Sequence, residues 1–129
     1  MSVRSYTCFT ILGDKVPDVL QDGDSVEHRG CSTVVEDYAA VGGGYDEIEE
    51  LVTQGVTFVA HWEGYVGTYP PGLTVHHAGR RVDFYTVEDA PALRCFGGQF
   101  PSEKEVARFR DDLEFYREVR DLLRGRGET

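Results

Sequence analysis

The sequence predicts an α+β fold, in which an antiparallel sheet of about five to six strands is covered on one face by a long C-terminal helix and one short helix. Three observations support this prediction. Short stretches that alternate apolar and polar residues recur along most of the chain. Fifteen glycines spread between them indicate many turns. Residues 102–124 instead repeat apolar residues at helical spacing, and strands followed by a terminal helix favour α+β over a doubly wound sheet.

Length and composition indicate one domain. A chain of 129 residues buries roughly two-thirds of its unfolded surface, so a core can form without disulfides or a structural metal. Apolar residues make up 40 % of the chain, which is too many for a disordered protein. We therefore predict a single domain over residues 1–129, with a frayed tail from about residue 125.

The N-terminal third predicts two strands separated by a loop. Residues 3–12 alternate between two faces, and their Tyr, Thr, Phe and Ile residues favour a pleated sheet. This segment therefore predicts a first strand and not a signal peptide. Residues 13–30 predict a polar loop, because Pro17 and Gly23 interrupt any regular pattern. Residues 31–41 predict the second strand.

A short helix follows the triple glycine at residues 42–44. Residues 46–54 carry acidic side chains in the first turn, where the helix dipole favours them. The apolar residues of this segment recur at i, i+3 and i+4, and they predict a buried stripe of Ile48, Leu51 and Val52.

The middle of the chain predicts further strands. Residues 56–69 are strand-like, with a bend at residues 63–64. Residues 73–77 and 81–87 predict a hairpin closed around Ala78-Gly79.

Aromatic residues beside glycine-rich bends mark the segment from Trp62 to Pro71. Such residues can form a recognition surface, because they present rigid area at small entropic cost. The alternative is a sheet core with edge bulges. The residues concerned are Trp62, Tyr65 and Tyr69, with Gly64, Gly67 and Pro70-Pro71 between and beside them.

The C-terminal helix has the clearest boundaries. Ser102 and Glu105 form a capping box at its start, and Gly125 follows its predicted end at about Arg124. Its apolar stripe consists of Val106, Phe109, Leu113, Tyr116, Val119 and Leu123, and Phe115 and Leu122 widen it.

This wide apolar face allows two interpretations. A helix that lies on one sheet needs a narrower band, so part of the face can meet a second subunit. The candidate homodimer residues are Phe115, Val119 and Leu122. The alternative is a helix that only packs on the core. Arg120 lies inside the apolar arc and has no acidic residue at i−4 to pair with.

The negative charge is concentrated in residues 14–50. Eleven acidic residues face only two basic ones there, which accounts for nine of the ten net negative charges of the chain. Such a segment repels nucleic acid and anionic membranes and attracts basic protein surfaces. We therefore predict a protein partner with a basic surface, and no direct contact with nucleic acid or a membrane. A salt-adapted source is the alternative, although its acidity would be spread along the chain.

The leading functional hypothesis is an acidic, non-enzymatic interaction protein that binds and blocks or modulates a basic site on a partner. Its concentrated carboxylates would speed encounter and pair with Arg or Lys. The chain is similar in profile to toxin-neutralising immunity proteins and phage-encoded inhibitors, which are also small, acidic and without catalytic motifs. The candidate partner-binding residues are Glu36, Asp37, Asp46, Glu47, Glu49 and Glu50.

The alternative hypothesis is a small enzyme or small-ligand-binding protein with a pocket between sheet and helix. Histidines and carboxylates on neighbouring strands would line it, because acid–base chemistry requires such groups within hydrogen-bond reach. The candidate residues are His61, Glu63, His77 and Asp83.

The sequence predicts no metal and no cofactor. The triple glycine lacks a following Lys-Ser/Thr, and Val16 and Leu20 interrupt a calcium-loop pattern that starts at Asp14. His76 and His77 are adjacent on a predicted strand, so they point to opposite faces and do not converge on zinc.

The three cysteines do not form a close pair. Cys8, Cys31 and Cys95 are widely spaced and odd in number. We interpret them as reduced thiols of a cytoplasmic protein, and the alternative is an exported protein in which two of them pair.

Overall fold

A seven-stranded antiparallel sheet with one helix on each face forms the structure, a computed structural model that describes residues 4–65, 68–93 and 99–125. This arrangement confirms the predicted α+β class. The elements are β1 (Arg4–Leu12), β2 (Ser25–Arg29), β3 (Ser32–Val41), α1 (Tyr45–Thr53), β4 (Phe58–Trp62), β5 (Gly72–His77), β6 (Arg80–Val87), β7 (Ala90–Ala92) and α2 (Glu103–Leu123). The strand order is β2-β3-β1-β4-β5-β6-β7.

Strand β2 lies inside the segment that we predicted as a loop. Four of its five residues are exposed, so its sequence has no apolar alternation to reveal a strand. Its pairing with β3 instead depends on a tight turn that begins at Gly30, where φ is +59° as short hairpins require. Together with the three-residue strand β7, it raises the strand number above the predicted five to six.

The first core lies under α1. Strand β1 is flanked by β3 and β4, so the chain crosses over β1 through α1. Ile48 and Leu51 of α1 pack on Phe9 of β1 and Phe58 of β4, as the predicted stripe requires. We call this side of the sheet the α1 face.

The second core lies on the other side of the sheet. Phe58 and Val59 are consecutive, and they therefore point to opposite faces. Val59 packs with Leu73 and Val75 against Phe115 of α2, so we call this side the α2 face. Our expectation that both helices cover one face was wrong. Strand β4 carries apolar residues on both faces, with Phe58 and Ala60 on one and Val59 on the other, and each face therefore needs its own cover.

The structure confirms the predicted boundaries of α2 and the predicted hairpin between β5 and β6. The Ser102 hydroxyl accepts a hydrogen bond from the backbone N–H of Glu105 at 3.2 Å. Ala78 and Gly79 both have positive φ between β5 and β6, as a two-residue hairpin requires. Neither helix in the described ranges has the length and apolar character needed to cross a bilayer. The predicted frayed tail lies outside the described residues beyond Gly125.

Candidate functional site

A cleft of about 500 Å³ opens on the α1 face, where α1 leaves part of the sheet uncovered. Helix α1 packs over β1, β3 and β4, whereas the same face of β5 and β6 borders the cleft. We call it the aromatic cleft. Its lining residues come from the start of α1, the end of β4 and the middle of the β5–β6 hairpin: Gly42, Gly43, Tyr45, Ile48, Trp62, Tyr69, Pro70, Pro71, Gly72, Thr74, Arg81, Asp83, Phe84 and Tyr85.

Four aromatic side chains form its walls. Trp62 ends β4, and Tyr45 begins α1 on the other side of the opening. Tyr69 and Tyr85 add two more rings. The Trp62 indole donates a hydrogen bond to the Pro70 carbonyl oxygen at 3.2 Å, which fixes the plane of the ring. The walls therefore offer flat apolar surfaces on which a ring-shaped ligand can stack.

Two glycines make room for the Trp62 ring. A Cβ atom on Gly72 would lie only 2.3 Å from Cζ2 of Trp62. A Cβ atom on Gly43 would lie 3.1 Å from Cγ of the same ring, and Gly43 also has a positive φ of 69°. Gly43 of the triple glycine at residues 42–44 therefore provides part of the space in which the indole sits.

A chain of hydrogen bonds forms the floor of the cleft. The Thr74 hydroxyl donates to Oδ1 of Asp83 at 2.5 Å. Nε of Arg81 donates to Oδ2 of Asp83 at 3.2 Å, and Nη1 of Arg81 donates to the Glu49 carboxylate. This chain connects β5, β6 and α1, and it holds the charged groups in fixed positions before any ligand arrives.

The floor carries an excess of negative charge. Burial lowers the pKa of Arg81, but its hydrogen bond to Glu49 and the nearby charge of Asp83 outweigh burial and raise that pKa above its usual value. The hydrogen bond between Tyr45 and the Glu49 carboxylate likewise raises the pKa of Tyr45. One guanidinium thus lies between two carboxylates, and the cleft favours ligands that donate hydrogen bonds.

The four residues of the predicted His/carboxylate pocket do not come together. His61 and His77 lie on the α2 face, at positions that pair with Leu73 and Arg80. Leu73, which pairs with His61, and His77 itself are four residues apart on β5, which is about 13 Å at the usual strand rise. Asp83 lies on the α1 face, opposite Thr74, and it is the one residue of the four that lines the aromatic cleft. Glu63 follows the end of β4 and pairs through its backbone N–H with the Tyr6 carbonyl oxygen at 3.0 Å.

The histidines have structural partners instead. His77 Nδ1 lies 2.9 Å from the Thr57 hydroxyl, and His61 Nε2 lies 3.2 Å from an Asp89 carboxylate oxygen, outside good hydrogen-bond geometry. His76 is buried in the α1 face, where its Nδ1 donates to the Val56 carbonyl oxygen at 2.7 Å. As predicted, His76 and His77 point to opposite faces.

The six candidate partner-binding carboxylates do not form one surface. Glu36 lies on the α2 face and accepts a hydrogen bond from the Tyr6 hydroxyl at 2.9 Å. Asp37 lies on the opposite face, and its carboxylate accepts from the backbone N–H of Ala39 at 3.0 Å. Glu49 is paired with Arg81. The remaining carboxylates lie exposed or half-exposed on α1, and they are Asp46, Glu47 and Glu50.

The candidate homodimer face belongs to the protein's own core. Phe115 is 7 % exposed and Val119 is 1 % exposed, because both pack on β5 and β6. Only Leu122 is half-buried. Two of the three residues are therefore not available to a second subunit. The apolar stripe is wide because much of the helix surface is buried against the sheet.

Within the described ranges, no group of three or more His, Cys, Asp or Glu side chains is placed to hold a metal ion. Cys8 and Cys31 are free thiols, and burial raises the pKa of the Cys8 thiol. Cys95 lies outside the described residues.

Sequence reasoning found part of the aromatic cleft and missed the rest. The aromatic segment supplied Trp62 and Tyr69, whereas the nearby Tyr65 is exposed and does not line the cleft. Arg81, Asp83 and Tyr85 were missed as a group, although their i, i+2, i+4 spacing on a predicted strand places them on one face. Comparison with protein-family models, curated proteins and solved structures finds no match to this chain.

Proposed function

We propose that the chain is a small-ligand-binding protein whose ligand occupies the aromatic cleft. One observation carries the proposal. Four aromatic side chains form the walls of this cleft, and charged side chains that are hydrogen-bonded to one another form its floor. Ligand sites are typically mostly apolar clefts of about 300–1,000 Å³ with a few well-placed polar groups. The volume and the lining of the aromatic cleft both fit that description.

The lining favours a neutral ring compound that carries hydroxyl or amino donors, such as a sugar or a nucleoside. The rings of Trp62, Tyr45 and Tyr85 suit stacking on a flat ligand. The Asp83 carboxylate suits hydrogen-bond donors. An anionic ligand would meet the Asp83 carboxylate, and Arg81 is already paired with Asp83 and Glu49, so an anion is disfavoured.

Trp62 makes this proposal directly testable, because it is the only tryptophan of the chain. We expect a titration with monosaccharides and nucleosides to change the tryptophan fluorescence for at least one compound. Asp83→Asn should then weaken binding of that compound about tenfold or more, since a hydrogen bond to a charged group contributes about 1.5–3 kcal/mol.

Asp111→Asn is the matched control, because it makes the same change at a well-exposed position of α2. It should leave the affinity unchanged. A panel that never alters the fluorescence would contradict the proposal, and so would equal binding by wild type and Asp83→Asn.

Docking on a basic partner protein, the function predicted from the charge pattern, is a second proposal. It is supported by Asp46, Glu47 and Glu50, which lie toward solvent on α1. Glu49 is better excluded from this group because it holds Arg81 in the floor of the aromatic cleft.

Charge reversal at these three positions tests the docking proposal. In affinity capture from the source cells at low salt, we expect Asp46→Lys, Glu47→Lys and Glu50→Lys together to reduce recovery of a basic partner about tenfold or more. The control reverses Glu103, Glu114 and Glu118, three exposed acids of α2, and so produces the same change in net charge. Equal recovery with both variants would exclude α1 as the docking element.

A further inference from the structure

A second cleft, of about 430 Å³, lies on the α2 face and differs from the aromatic cleft in charge. Helix α2 lies across β5, β4 and β1, and the cleft lies between its C-terminal half and residues of β1, β3 and β4. Its apolar floor includes Val34, Val59 and Leu123. Its rim carries Arg29, Arg120 and Arg124, and we call it the basic cleft.

Arg120 is the central observation. Its guanidinium lies 5.5 Å from the centre of the Tyr116 ring, and both residues line the basic cleft. Nε of Arg120 is buried and has no hydrogen-bond partner among the described residues. No described carboxylate lies within ion-pair distance of this guanidinium. A buried donor without a partner is costly, so it indicates a missing acceptor.

The surrounding charges favour an anionic acceptor. None of the described lining residues is acidic, although the chain as a whole carries a net charge of −10. Arg124 is exposed at the end of α2 and forms no ion pair with a described residue. Arg29 is already paired with Glu27 at 2.7 Å, so it contributes less. Thr10 adds a hydroxyl group that can donate to an anion, whereas the Ser32 hydroxyl already donates to the Arg29 carbonyl oxygen at 3.2 Å.

The C-terminus of α2 would oppose an anion if its carbonyl groups faced the cleft unpaired. Here Sγ of Cys31 lies 3.3 Å from the carbonyl oxygens of both Leu122 and Leu123, so its single S–H is shared between them as a weak donor. This contact also ties the β2–β3 turn to the helix end.

We propose that the basic cleft binds a small organic anion, with a phosphate or carboxylate group on Arg120 and Arg124 and an apolar body on the floor. Guanidinium groups bind both oxyanions through paired hydrogen bonds. The body of the ligand would lie on Val34, Val59 and Leu123. This site is independent of the ligand proposed for the aromatic cleft, since the two clefts lie on opposite faces of the sheet.

Calorimetric titration with phenyl phosphate and with benzoate tests the proposal, and phenol and inorganic phosphate serve as fragments. We expect at least one of the two anions to bind at one site per chain, and to bind about tenfold or more tightly than phenol or inorganic phosphate. Amide chemical shifts should change at Ser32 and Arg120, while the Trp62 indole signal stays unchanged. Equal binding by phenol would overturn the proposal that the arginines recognise an anionic group. Phenyl phosphate that binds no better than inorganic phosphate would overturn the proposal that the floor binds an apolar body.

Three single variants complete the test. Arg120→Gln and Arg124→Gln should each weaken binding about tenfold, and Arg124 is exposed, so its replacement leaves the fold intact. Arg117→Gln removes the same charge from an exposed position of α2 outside the basic cleft, and it should bind as wild type does. Absence of binding to wild type, or equal loss in Arg117→Gln, would overturn the proposal.

Discussion

Replacing Phe58 by alanine is expected to lower the free energy of unfolding by about 3–5 kcal/mol. Phe58 is fully buried at 0 % exposure, in the centre of the core under α1. Its ring also stacks on His76 at a centroid distance of 5.9 Å. Truncation would remove these contacts and leave a cavity between α1 and the sheet. The loss is a large share of the roughly 5–15 kcal/mol that stabilises a typical domain.

Phe100→Ala is the matched control, because this phenylalanine is 97 % exposed. Urea unfolding followed by circular dichroism should give a change of at most about 0.5 kcal/mol for Phe100→Ala. Similar losses for the two variants would mean that the core under α1 is not packed as described.

Gly72→Ala is the second substitution with a large expected effect. A strand usually gains from replacing glycine by alanine, because glycine loses more conformational entropy on folding. Here the new Cβ would lie 2.3 Å from Cζ2 of Trp62 and 3.0 Å from the Phe84 carbonyl oxygen. Steric overlap should therefore dominate. We expect a loss of about 1–3 kcal/mol and a shifted tryptophan emission maximum, since the indole must move.

A double-mutant cycle with Trp62→Phe identifies the source of this loss. Phenylalanine lacks the outer ring of the indole, so Gly72→Ala should cost at least about 1 kcal/mol less in the Trp62→Phe background. An unchanged cost would assign the effect to the Phe84 backbone instead of the Trp62 ring.

Local signals in the sequence predicted most of the elements. β1 and the β5–β6 hairpin have residues that alternate in polarity, and α2 has a capping box at Ser102 and Glu105. The edge strand β2 has no such signal because most of its residues face solvent. It exists because β3 offers an open edge, which is information that the segment itself does not contain.

The candidate site depended on long-range placement and was predicted only in part. Alternation shows that His61 and Trp62 point to different faces, but it does not show which helix covers each face. The sequence therefore grouped Asp83 with His61 and His77, whereas the strand register places it with Thr74. The charge pattern of the sequence likewise did not show which carboxylates are free, because Glu49 is paired with Arg81, an arginine 32 positions away in the chain.

The composition of the two outer strands has a consequence for self-association. An open sheet edge exposes unpaired main-chain groups that can recruit a strand from another molecule and so seed aggregates. β2 carries the charged pair Glu27 and Arg29 on one edge. On the other edge, β7 has only three residues, and its central Pro91 lacks an N–H group. The polar residues of β2, which leave this strand without an apolar pattern in the sequence, thus also disfavour pairing of the sheet edge with a second molecule.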